Sequence, residues 1–187
     1  GANGVVANNA NKGGGTVTIT DTTASAITGT STVAGTDEGD GIRVSSGSGL
    51  VLIGTGTGGR LTGVVSGKGD GIEVSSTGDI QAYLGANVTG DTDDGDQDQD
   101  NIGDGVRVQS SGINKAILVD STGGVVKASE DGIQALATGA GTTVNIINRD
   151  KVEVKATTST AVYGQAKTGS VTIDNKNAGA AGQINGT

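Results

Sequence analysis

Short runs of alternating apolar and polar residues recur along this chain, and the runs themselves repeat. GDGIRVSS at Gly39 to Ser46 returns as GDGIEVSS at Gly69 to Ser76, as GDGVRVQS at Gly103 to Ser110 and as EDGIQALA at Glu130 to Ala137. Their aspartates, Asp40, Asp70, Asp104 and Asp131, stand 30, 34 and 27 residues apart, a period in the range of solenoids and repeat arrays. Aligned on that aspartate, the chain falls into six rows, the first entering at Asn3 and the last at Thr160. Two positions further on, the rows read Val5, Ile42, Ile72, Val106, Ile133 and Val162. Two beyond that they read Ala7, Val44, Val74, Val108, Ala135 and Gly164. The position between is mostly polar: Val6, Arg43, Glu73, Arg107, Gln134 and Tyr163. Alternation of this kind predicts a strand with one face buried and the other in water.

Each row holds a second strand-like segment, rich in β-branched residues: Thr16–Thr20, Leu50–Ile53, Ile80–Leu84, Ala116–Val119, Thr143–Ile147 and Ser170–Ile173. A third and weaker one begins at Leu61, Val125 and Val152. Gly, Asn, Asp, Ser and Thr fill the intervals, as tight turns require. Three short strands per row predict an all-β fold, a parallel β-helix (β-solenoid) of about six rungs, with the right-handed coil that the crossover rule favours. Six rungs at the spacing of neighbouring strands make a rod about 29 Å long. Residues 1–187 are expected to form a single repeat domain. Neither terminal segment reads as a polar cap, so a piece of a longer rod, or a subunit stacking end to end, is expected.

Composition narrows this further. The chain has 187 residues with 36 Gly, no Phe, Trp, Met, Cys or Pro, and two Tyr. Globular cores use aromatic residues to fill their wide middle, whereas a thin core of Val, Ile, Leu and Ala suits a coil. A formal charge of −8 disfavours nucleic acid and anionic membranes as partners. No apolar run approaches the roughly 20 residues of a membrane span, so direct membrane insertion is not expected. The start, Gly1-Ala2-Asn3-Gly4, lacks the features of a secretory signal and is what a processed protein or a fragment would show.

Candidate chemistry sits at two places. The column Asn3, Asp40, Asp70, Asp104, Asp131, Thr160 reads first as a turn ladder, in which a side-chain oxygen accepts from a neighbouring backbone N–H. A stack of carboxylates could also hold cations or form an acid and base pair, but the Asn and Thr in the same column ask for an oxygen, not a charge. Glycine after four of the aspartates points to a positive φ or a close backbone approach. The second place is the acidic insertion loop 91–103, whose Asp94, Asp96, Asp98 and Asp100 have the alternating spacing of calcium-binding loops, without the flanking helices or the closing Glu. Both a solvated loop and a weak calcium site fit it, and calcium is the one cofactor suggested. The outward column Arg43, Glu73, Arg107 alternates in sign between neighbouring rows and supports their alignment. Without His or Cys, histidine- and cysteine-based nucleophile systems are ruled out. Sugar-cleaving carboxylate pairs would lack aromatic platforms beyond Tyr83 and Tyr163. The Gly-rich strings at Gly54–Gly59 and Thr138–Gly141 lack the Lys-Ser/Thr ending of a nucleotide loop and read as corners. No enzymatic activity is expected.

The rows GDGIRVSS and GDGIEVSS, with the TVTIT and SVTI segments and the Gly/Thr/Asn-rich corners, resemble the passenger region of Gram-negative autotransporter adhesins. The resemblance spans essentially the whole chain. It implies a right-handed parallel β-helix, exported and displayed extracellularly or on the bacterial cell surface. Its partners would be host-cell or neighbouring-cell surface molecules, or copies of itself. No functional residue transfers, because that family shares a scaffold and not a site. The alternatives are a calcium-responsive self-assembling filament or surface-array subunit, and a carbohydrate-binding β-helix.

Overall fold

A computed structural model describes residues 3–9, 14–21, 25–30, 39–56, 58–91, 103–154 and 159–175, together with the backbone of 184–186. The described chain winds through three sheets in turn, and every strand pairing is parallel. The first sheet contains β1 (Val5–Asn9), β4 (Ile42–Ser46), β7 (Ile72–Ser76), β10 (Val106–Ser110), β13 (Ile133–Ala137), β16 (Val162–Ala166) and β18 (Ile184–Gly186), stacked in that order. The second contains β2 (Val17–Ile19), β5 (Val51–Ile53), β8 (Ile80–Leu84), β11 (Ala116–Ser121), β14 (Thr143–Asn148) and β17 (Val171–Asn175). The third contains β3 (Ile27–Thr28), β6 (Val65–Ser66), β9 (Val88–Thr89), β12 (Val125–Ala128) and β15 (Lys151–Val154). Consecutive strands therefore lie in different sheets, and each pairs with its counterpart one turn away. This is a parallel β-helix.

The register follows the sequence rows. Val5 pairs with Ile42, Ile42 with Ile72, Ile72 with Val106, Val106 with Ile133 and Ile133 with Val162. In the second sheet the column Val17, Val51, Ile80, Ile117, Val144, Val171 is built the same way. Because side chains alternate across a strand, this register sends every second residue inward. Ile42, Ile72, Val106 and Ile133 are fully buried and meet Val51, Ile80, Val65 and Val88 in one continuous core. Burying each such side chain contributes about 1.5–3 kcal/mol.

Three details go beyond the expected rows. The first sheet has a seventh strand, β18, after the sixth row. The third sheet includes β3 and β9, whose two residues each are too short to show alternation. The segment beginning at Leu61 becomes a strand only at Val65. Leu61 itself forms an isolated bridge with Leu84 and is buried at the corner between the second and third sheets.

Candidate functional site

The candidate site is the corner where the chain leaves the third sheet and enters the first. At each rung the N–H of the aligned residue points at the side chain one rung earlier. Asn3 Oδ1 accepts from the N–H groups of Gly39 and Asp40, both at 2.9 Å. Asp40 Oδ1 accepts from Asp70 N–H at 3.0 Å, and Asp70 Oδ1 from Asp104 N–H at 2.9 Å, with Gly103 N–H at 3.3 Å. Asp104 Oδ1 accepts from Asp131 N–H at 2.9 Å, and Asp131 Oδ1 from Thr160 N–H at 2.7 Å. The structure thus brings all six residues of the column into one chain of hydrogen bonds. Its bonds run from rung to rung, not within a turn.

The main chain adds a second thread beside it. Gly4, Gly41, Gly71, Gly105 and Gly132 donate their N–H groups to the carbonyls of Asp40, Asp70, Asp104, Asp131 and Thr160. The glycines do not have positive φ; Gly39 and Gly103, just before the aspartates, do. What the position after Asp requires is closeness. A Cβ on Gly71 would stand 2.5 Å from the Gly105 carbonyl oxygen and 2.7 Å from Val88 Cγ1.

The carboxyls in the middle of the ladder are out of water: Asp40, Asp70 and Asp104 are 2%, 4% and 0% exposed. Burial, followed by the neighbouring Asp131 carboxylate, pushes Asp104 up to about 8, against the opposing pull of the Asp131 N–H and Arg107. Asp70 is raised well above the usual carboxylate range by burial first, then by Asp104 and Asp40. Asp104 Oδ2 is buried with no hydrogen-bond partner among the described residues. At the two sides of this pair the charges are better met. Arg43 lies 3.7 Å from Asp40 Oδ2 and 3.1 Å from Glu73, and Gln134 Nε2 donates to Asp131 Oδ2 at 2.9 Å.

A second polar corner, between the second and third sheets, has no counterpart among the sequence candidates. Arg60 donates to the Leu84 and Asp120 carbonyls at 3.2 and 2.9 Å and to Asp120 Oδ2 at 2.7 Å. Asp150, buried, accepts from Gly123 N–H, Gly124 N–H and Ser121 Oγ at 2.6, 2.9 and 2.5 Å. Arg149 repeats the Arg60 pattern one turn from Asp174, donating to its carbonyl at 2.7 Å and to Oδ2 at 2.6 Å. The available signal was the recurrence VDS, IIN, IDN at Val119–Ser121, Ile146–Asn148 and Ile173–Asn175.

Asp94, Asp96, Asp98 and Asp100 lie outside the described residues. Of the acidic insertion, Asp91 is described: its carbonyl accepts from Ser129 N–H at 2.7 Å and its Oδ1 is 4.0 Å from Lys68 Nζ. Among the described residues no group of three or more acidic side chains converges as a metal ion would need. In the Asp column each Oδ1 is already engaged by an N–H donor. No family model matches the chain, and comparison with curated proteins and with solved structures returned no significant match.

Proposed function

We propose that this chain is a structural and adhesive rod segment of a surface-exposed or secreted bacterial protein of the autotransporter type, with no enzymatic activity. One observation carries the reading. At both described polar corners, the side-chain hydrogen bonds hold one rung to the next, as in a scaffold. The outward columns and the loops between rows are then the surfaces left for contact with a cell or with another copy.

Adhesion of beads coated with the purified chain tests it. The coated beads should bind cultured host or bacterial cells, or one another, above beads carrying an inert protein of similar charge. Absence of both kinds of adhesion, with monomeric sedimentation at high concentration, would overturn the reading. The alternating aspartates of 91–103 favour a second reading, the calcium-responsive assembling subunit. Sedimentation with calcium and with chelator separates the two: association that appears only with calcium selects the second. A glycan array discriminates the carbohydrate-binding alternative.

A further inference from the structure

Asp40, Asp70 and Asp104 occupy the same corner position on three successive rungs, all of them buried. Neighbouring strands lie about 4.8 Å apart, so the carboxyls are within strong Coulombic reach of one another. Each is tied to the next rung through Oδ1. The same contact is made at the first rung by Asn3, which carries no charge. The ladder therefore needs oxygen acceptors, and it stacks more ionisable groups than a buried corner can hold as anions.

The surrounding charges compensate only in part: Arg107 opposes the rise of Asp70 and Asp104, and Arg43 lies beside Asp40. The strands leaving the corner present Arg43, Glu73 and Arg107, with Arg43 shared between Asp40 and Glu73. The segments entering it present Lys68, which faces Asp91, and Glu130. The next rung adds Asp131. On the third sheet the nearby Lys127 is held by Glu153 at 3.3 Å. Arg43, Arg107 and Lys68 thus face Glu73, Asp91, Glu130 and Asp131 before the three buried carboxyls are considered.

We propose that the buried Asp70–Asp104 pair of this column is a pH-sensitive latch, closing this corner of the coil in mildly acidic water and loosening it as the water turns alkaline. The upward displacement of Asp104, to about 8, and of Asp70 agrees with this geometry. A carboxyl that holds its proton more tightly folded than unfolded adds stability that is fully present below its unfolded value, 3.8. That contribution is lost as pH rises toward the folded value, about 8. The sign is opposite to that of salt-bridged carboxylates, which lose stability in acid.

Urea unfolding of the wild-type chain, Asp104→Asn and Asp70→Asn, followed by circular dichroism at about pH 5 and about pH 8.5, tests the latch. Asn keeps the Oδ1 acceptor, as Asn3 does, and removes the titrating proton. The wild-type folded-to-unfolded ratio should drop at least about tenfold between the two conditions, the equivalent of one unit of pKa displacement. Asp104→Asn should flatten that dependence, and Asp70→Asn should reduce it. A wild type as stable at the higher pH as at the lower, or the same slope in both variants, overturns the proposal. Should Asp104→Asn not fold, carbon-13 NMR of the wild-type carboxyls decides: an Asp104 titrating near about 4 overturns the latch, and one titrating above about 6 supports it.

Discussion

Glycine after each ladder aspartate has one job, to let two rungs approach. Gly41, Gly71, Gly105 and Gly132 each face the backbone carbonyl of the next rung and a Val side chain of the third sheet. An added methyl group would push the rungs apart at the point where both the side-chain and the main-chain threads cross. Gly71→Ala should therefore destabilise the chain by about 1–3 kcal/mol, the usual cost of overpacking, read as a lower urea midpoint. The sixth row carries Ala161 at this position, buried, and among the described residues only the short β18 stacks beyond it in the first sheet. Ala161→Gly is accordingly expected to move the midpoint much less than Gly71→Ala. Equal shifts in the two variants would contradict the close-approach account.

The rungs are joined at the level of elements by side chains that span more than one turn. Arg60, just ahead of the third sheet, reaches the carbonyl of Leu84 at the end of β8 and both the carbonyl and carboxylate of Asp120 in β11. One guanidinium thereby ties three successive turns. Arg60→Ala leaves a 7%-exposed carboxylate without its cation, and a loss of about 1.5–3 kcal/mol is expected in urea unfolding, as for hydrogen bonds to charged groups. Arg60→Lys should recover only part of it, because an ammonium cannot reproduce the planar fork. Full recovery by Lys would show that charge alone matters there. This bond joins residues far apart in sequence, and no local pattern announces it. The strands of the first sheet were legible for the opposite reason: five residues suffice to display alternation, and the repeated Asp-Gly fixes their alignment. In the third sheet β3 and β9 offer a single inward residue each, Ile27 and Val88, so periodicity has nothing to count. β18 lacks the Asp-Gly that aligns the middle rows. The ladder column itself could be read from residue types, but not the direction of its bonds: an oxygen beside a turn can cap its own turn or the next, and only the stacked geometry selects the next.

A coil of this kind has no centre in the globular sense, and its stability is close to a sum of neighbouring contacts along one axis. The middle rungs are covered on both sides, and Ile42, Ile72, Val106 and Ile133 are fully buried. At the first rung Val5, Ala7, Val17 and Ile27 are only partly buried, and at the other end Val154, Ala166, Val171 and Ile173 are likewise. Opening an end rung breaks one interface, whereas opening a middle rung breaks two. Amide hydrogen exchange should consequently be graded along the axis, slowest in β7, β8, β10 and β11 and fastest in β1, β2 and β17, by contiguous rungs and not by sheet. The corner ladder sharpens this gradient, since the N–H groups of Asp70, Asp104 and Asp131 each donate to a buried carboxyl. Measured at about pH 6 and about pH 8, after correction for the intrinsic base dependence of exchange, those three amides should lose protection at the higher pH more than the amides of β8 and β11 do. Uniform protection from β1 to β17 would mean that the rod opens only as a whole, and the nearest-neighbour description would then fail.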